Sequence, residues 1–216
     1  MNSAATPDGV SAADIERELG LARQLVLRDR FHAPLRTVAG FQFGRHGDVC
    51  IASAVLLDAD TLELIASRVA RLPVAAPADD PRDSHAVPAL LAALALLPLA
   101  PDLALVEAHG IAHPRRLGTA AHFGLASDLA CIGVATAIDV GATRISLHEM
   151  RGAFTPLRDG PQQVGWLLRS QPDAPPLVVS PGHRMSMASA PALVMRFVVG
   201  DRRPEPTRLA RLLLPR

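Results

Sequence analysis

"PDLALVEAHGIAHPRRLGTAAHFGLASDLACIGVA", residues 101–135, decides the fold. It opens with a short apolar run, Leu103–Val106, that ends in Glu107. The segment "DLALVEA" predicts a buried strand, "GTAAHFGLASDLA" a helix, and "CIGVATAI" a second buried strand. Alternating strands and helices are the pattern of an α/β sheet. In open sheets of that kind, ligand sites gather at the carboxyl ends of strands. Glu107 stands at such an end, and His109, His113, Arg115, Arg116 and His122 follow it closely.

Working outward, three β-like runs lie upstream: "RTVAGFQFG", "VCIASAVLLD" and "TLELIASRVARL". The short turns "RHGD" and "DAD" separate them, which predicts an antiparallel meander. Before them, "SAADIERELGLARQLVLRD" has Ile15, Leu19, Ala22 and Leu25 or Val26 near helical spacing, with Ser11 as N-cap. Residues 73–86 are rich in Pro and Asp and predict an exposed loop. "VPALLAALALLP" predicts a buried helix with Pro88 in its first turn and Pro98 at its end. Downstream, "QVGWLLRS" and "PLVVSPG" read as strands, while "SMASAPALVMRFV" and "PTRLARLLL" read as helices. The expectation is one α/β domain over residues 11–216 with a mixed central sheet flanked by helices, after a flexible N-terminus at residues 1–10.

Composition narrows the choice of function. Hydrophobic residues make up 49% and aromatics only 3%, so the core is built from Ala, Leu and Val. Net charge is +1, which advertises no global field for nucleic acid and leaves only a local patch. Cys50 and Cys131 have no metal spacing and read as small buried hydrophobes. The N-terminus has no basic start followed by an apolar run. The longest charge-free apolar stretch, "VPALLAALALLPLAP" at residues 87–101, is interrupted by prolines and is shorter than the ~20 residues a membrane span needs. A cytoplasmic monomer is expected.

The polar residues after the first buried strand admit two readings. Glu107 is either a functional strand-end carboxylate or the ion-pair partner of Arg115 or Arg116. His109 and His113 are four apart, but Gly110 and Pro114 oppose the helix on which that spacing would bind zinc. Three histidines beside two arginines favour an anion, since Arg takes phosphate in a bidentate way. "GHR", Gly182–Arg184, follows another buried strand and opens onto a helix, whose N-terminus also favours anions. Two strand ends of matching chemistry suggest a phosphodiester cleft.

The whole of residues 101–135 resembles the central segment of the endonuclease V family. The family's form there is aspartate-glycine-His-Gly, then His-Pro-Arg-Arg, then Ser-His-(Phe/Leu)-Gly, then Thr-Ile-Gly-Val-Ala-Lys. "PLVVSPGHRMSMASA" and "RRPEPTRLA" resemble its C-terminal blocks, and "VAGFQFG", "VLLDADTLELIASRVARL" and "VPALLAAL" its earlier ones. The similarity runs in order through about residues 12–210. It implies a ribonuclease H-like fold and magnesium-dependent cleavage of DNA or RNA one nucleotide beyond a deaminated base, typically inosine. Magnesium takes oxygen ligands, mostly carboxylates and phosphate, and generates the attacking hydroxide.

Set against that pattern, the acidic positions have changed. Gln42 stands where the resemblance implies a metal-binding Asp, and Ala86 where it implies Glu. Glu107 replaces Asp, moving the carboxylate out by ~1.5 Å where Mg–O distances are held near ~2.1 Å. Glu107 is then the expected metal ligand, with Gln42 a neutral second. Thr136 replaces a lysine at the second strand's end, and Ala188 an aspartate. The family's Pro-Tyr-Ile-Pro wedge, which pries strands at the lesion, is reduced to "PVAA" at residues 73–76. His113, Arg115, Arg116, His122, Gly133 and Ala135 match and, with His109, are the expected nucleic-acid contacts. Glu107 and His183 are the expected catalytic pair, since the family places that histidine near the metal.

Three functions follow. One is an endonuclease V-like protein that binds deaminated DNA or RNA with cleavage impaired, because a flipped base is held by pocket contacts and not by metal. The second is an active magnesium nuclease whose metal site is rebuilt from Glu107, His183, Gln42 or a loop acid, Asp79, Asp80 or Asp83. The third is an interaction protein without nucleic acid.

Overall fold

The structure is a computed structural model and describes residues 12–74 and 86–215. Helix α1 (Ala12–Ala22) leads into strands β1 (Thr37–His46), β2 (Val49–Asp58) and β3 (Leu64–Pro73). Helix α2 (Ala86–Ala95), strand β4 (Leu103–Val106), helix α3 (Thr119–Ser127) and strand β5 (Cys131–Ala135) follow. Strands β6 (Phe154–Asp159), β7 (Gln162–Leu168) and β8 (Leu177–Pro181) and helices α4 (Ala190–Arg196) and α5 (Glu205–Leu212) complete the described chain.

The eight strands form one mixed sheet in the order β3-β2-β1-β4-β5-β8-β7-β6. The expected meander is present: β1 pairs antiparallel with β2, Gln42 opposite Ser53, and β2 pairs antiparallel with β3. β4 lies parallel to β1, and β5 parallel to β4. β8 is antiparallel to β5, and the β8-β7-β6 half continues antiparallel.

Strand alternation divides the core between two faces. Leu103 and Leu105 of β4 join Val38, Val194, Phe197 and Ala210 beside α4 and α5. Ala104 and Val106 join Phe41, Leu90, Ala93 and Phe123 beside α2 and α3. The Phe41 and Phe123 rings pack with centroids 4.8 Å apart. Small Ala side chains on α2 and α3 let these helices sit close to the sheet, as the low aromatic content requires.

Two elements depart from expectation. The first helix stops at Ala22 instead of running to residue 29. Its last turn tightens, with Gln24 N bonding Leu21 O and Leu25 N bonding Ala22 O. Val26 N is then taken by His183 Nδ1 at 3.4 Å, so the chain has left the helix. Its expected N-cap, Ser11, lies outside the described residues. Strand β6 was not expected, because "FTPLRD" carries a proline and two charges. It is an edge strand, where a missing N–H and outward charges are tolerated. The loop expected at 73–86 lies mostly outside the described residues; Ala86 already belongs to α2.

Candidate nucleic-acid cleft

The carboxyl ends of β1 and β4 form a corner. Glu107 N donates to Phe41 O at 3.0 Å, which sets Glu107 beside Gln42 on the neighbouring strand. Alternation along β4 turns Glu107 to the same face as Leu103 and Leu105, toward α5. There Arg211 Nη1 donates to Glu107 Oε1 at 3.0 Å. Arg203 Nε, from the loop before α5, donates to the same oxygen at 3.3 Å and lies 3.3 Å from Oε2. Oε2 is buried and out of line for a hydrogen bond of its own. Gln42 is buried, and its Oε1 accepts from Phe43 N at 3.0 Å.

The fit of a divalent ion can be tested on these groups. Magnesium asks for several oxygen ligands and negative charge. Glu107 already faces two guanidinium cations, Gln42 is neutral and engaged, and the Ala86 side chain has no ligand atom. Among the described residues no group of three or more His, Cys, Asp or Glu could hold a metal ion. The described residues therefore do not fit the magnesium that the resemblance implies, and Asp79, Asp80 and Asp83 lie outside them.

Glu107 also opens onto a cavity of about 830 Å³, lined by His109, His113, Arg115, His122 and Thr136 and by Arg17, Glu18 and Leu21 of α1. The loop between β4 and α3 shapes it by lying directly on β5. A Cβ at Gly133 would come within 2.3 Å of Gly110 N, and one at Gly110 within 2.2 Å of Pro181 O. Only glycine permits both approaches. Gly133 thereby supports the loop and is itself covered, while Ala135, also buried, lines the cavity.

Each arginine of the His-Pro-Arg-Arg block has an acid. Arg115 Nε is in ion-pair contact with Glu18 Oε2 of α1. Arg116 takes a left-handed backbone, φ 58°, and points away to the edge of the sheet. Its guanidinium bonds Asp159 Oδ2 at 2.5 Å, Gln162 Oε1 at 2.9 Å and His113 O at 2.8 Å. Arg116 thus ties the loop to β6 and β7. Glu107 pairs with neither Arg115 nor Arg116 but with Arg203 and Arg211 from far along the chain.

Burial lowers the pKa of His109, His113 and His122, with Asp139 opposing it at the first two, Glu18 opposing it at the last two, and Arg115 adding to it at His113. These imidazoles are held toward the neutral form, as donors and acceptors and not as cations. His109 Nδ1 is buried with no hydrogen-bond partner.

His183 is elsewhere. Because β8 runs antiparallel to β5, its carboxyl end lies at the amino end of β5, across the sheet from the cavity, where Cys131 N bonds His183 O. The expected meeting of two similar strand ends does not occur. His183 Nε2 is 3.3 Å from Asp128 Oδ1 at the C-cap of α3, whereas the cavity lies at that helix's N-terminal end. Nor does Gly182–Arg184 open a helix directly, since α4 begins at Ala190. Cys131 is buried and donates to Ala120 O, and burial pushes its thiol far above the usual range. It is a packing residue.

Sequence reading missed Glu18, Arg203 and Arg211. Arg203 lay in plain view in "RRPEPTRLA", but its partner is 96 positions away. The amphipathic pattern of α5, with Thr207 and Ala210 buried, was the one available signal that Arg211 faces the carboxyl end of β4.

The sheet order and flanking helices are those of the ribonuclease H-like class of α/β domains. The structure of Endonuclease V from Streptomyces avermitilis superposes with a TM-score of 0.83 at 32% identity, covering 94% of this chain and 91% of that one. A Ciona intestinalis Endonuclease V (D234N) in complex with a 23mer DNA containing an inosine followed by a ribo-adenosine matches at a TM-score of 0.78, covering 94% and 96%. At 18% identity that likeness speaks for the fold alone. The Endonuclease V of Azotobacter vinelandii is 47% identical over 212 residues, 97% of this chain and 95% of that protein. The Endonuclease V family model matches residues 20–212, and the chain belongs to that family.

Proposed function

We propose that this chain binds DNA or RNA carrying deaminated bases, inosine foremost, without the magnesium-dependent cleavage of its family. One observation carries the reading. The charge that a metal would bring to Glu107 is already supplied by Arg203 and Arg211; the neighbouring Gln42 adds no negative charge, and neither does Ala86 at the start of α2. The cavity beside Glu107 offers the neutral His109, His113 and His122 to a base lifted from its stack. Such contacts offset lost stacking and pairing without a metal. A monomer in the cytoplasm completes the picture; no helix among the described residues is long and apolar enough to cross a membrane.

A second reading, active cleavage, draws on the 47% identity to a protein named Endonuclease V and on Asp79, Asp80 and Asp83 as replacement ligands. The purified protein, incubated with inosine-containing DNA and RNA in Mg²⁺ and in Mn²⁺ beside Glu107→Ala, separates the two. The first predicts bound, uncut oligonucleotide. Cleavage that disappears in Glu107→Ala would sink it. No shift of any oligonucleotide at low salt would favour an interaction protein instead.

A further inference from the structure

The corner of β1, β4 and α5 holds an unequal charge set: one carboxylate against two guanidinium groups. Glu107 is almost wholly buried, its side chain 10% exposed, while the Arg203 and Arg211 side chains are 22% and 54% exposed. Arg211 spends one Nη1 hydrogen on Glu107, and Arg203 its Nε–H. Their remaining side-chain N–H groups have no other partner among the described residues. A guanidinium has five N–H donors in a planar fork, so most of each fork is uncommitted. We infer that Arg203 and Arg211 form a phosphate-binding site, in which fixed guanidinium cations hold the nucleic-acid backbone at the corner where the family resemblance implies a divalent ion.

The charge balance supports this over a metal. Two cations against one carboxylate leave the corner net positive, and the adjoining Arg202 and Asp201 cancel each other, so the corner repels a dication and attracts a phosphodiester. Arg forks match phosphate oxygens in bidentate fashion. Because Glu107 lines the cavity, a phosphate on these arginines lies next to the space proposed for the base. Glu107 orients both guanidinium groups from below and competes with the phosphate for them.

That competition gives a test whose sign differs from that of a metal site. The inference rests on the nucleic-acid reading above. The full chain is titrated onto a fluorescent inosine-containing oligonucleotide, with EDTA and with Mg²⁺, across a salt series. Glu107→Gln is compared with wild type. The expected result is Mg²⁺-independent binding that tightens in Glu107→Gln. The slope of log affinity against log salt should steepen by about one for each guanidinium that gains a phosphate. The triple variant Glu107→Gln/Arg203→Gln/Arg211→Gln, which leaves no buried carboxylate unpaired, should fall below wild type in both affinity and slope. Thermal melts check that each variant is folded. Binding that strengthens with Mg²⁺ and weakens in Glu107→Gln overturns the inference while leaving the nucleic-acid reading intact. An unchanged slope in the folded triple variant overturns it as well. Equal affinity for inosine and undamaged oligonucleotides, with the predicted slopes, keeps the arginine site and removes the deaminated-base reading. No binding by any variant removes both.

Discussion

The Glu107 corner and the loop between β4 and α3 share the carboxyl end of β4 but balance charge in opposite ways. In the corner a buried acid is covered by two arginines from the C-terminal segment. In the loop each of two arginines is covered by one acid, Glu18 from α1 and Asp159 from β6. The corner is left with surplus positive charge; the loop is neutralised pair by pair. A motif is therefore a poor guide to where free charge lies. The well-preserved His-Pro-Arg-Arg block spends its arginines on architecture, and the surplus lies in and just after "RRPEPTRLA", 96 and 104 positions from Glu107.

The strongest way to break the contrast is to return the corner to acidity. Gln42→Asp, Ala86→Glu and Arg211→Ala together remove one competing cation and add two carboxylates. The expected outcome is Mn²⁺ binding, measured by calorimetry, where wild type shows none at this corner, together with a gain of Mg²⁺-dependent cleavage of inosine DNA by orders of magnitude. A metal centre can supply that much through a bound hydroxide and charge stabilisation. Equal Mn²⁺ affinity in wild type and variant would mean that the arginines are no obstacle to metal, and the contrast would collapse.

A smaller change separates the regions from the loop side. Gly133→Ala places a methyl where only 2.3 Å to Gly110 N is available. The loop must lift from β5, at a cost of about 1–3 kcal/mol, typical of overpacking. Urea unfolding should register that loss, while Mg²⁺-independent binding through the corner arginines persists with its salt slope unchanged. A variant as stable as wild type would show that the loop does not rest on β5 as described.

How much of this was legible in the sequence depended on the range over which the information acts. The buried strands Leu103–Val106 and Cys131–Ala135, the meander and α2 were readable because apolar runs and turn residues are local signals. Helix α1 was read too long: Leu25 and Val26 continue its spacing, but the Val26 N–H is drawn to His183, 157 positions away. Residue types at the site were readable, and the losses at Gln42 and Ala86 stood out against the family pattern. Their neighbours were not. His183 does not meet Glu107 as expected, because strand direction is a property of the whole sheet and β8 is reversed. Arg115 and Arg116 are near Glu107 in sequence, but the packing of α5 delivers Arg203 and Arg211 as its partners instead.

The smallest predicted effect concerns acid. His109, His113 and His122 in the cleft, and His183 beyond the carboxyl end of β8, all have pKa values lowered below the usual 6.5, chiefly by burial. At His183 the hydrogen bond and charge of Asp128 oppose the shift. As pH falls, the unfolded chain takes up these protons before the folded one does, so acid favours unfolding. Stability from this source is fully present above 6.5 and declines as pH drops through 6.5 toward the lowered folded values. The carboxylates with lowered pKa, Asp58 and Glu205, act nearer pH 4 and leave this window clear. Urea unfolding between about pH 8 and 5 should show a modest fall, shallower in His122→Gln than in wild type. NMR titration should place all four imidazoles below 6.5, with the cleft histidines moving upward when phosphate of a bound oligonucleotide approaches them. Stability that rises on acidification would mean that these histidines gain anionic partners on folding, and that the loop is less evenly paired than the corner after all.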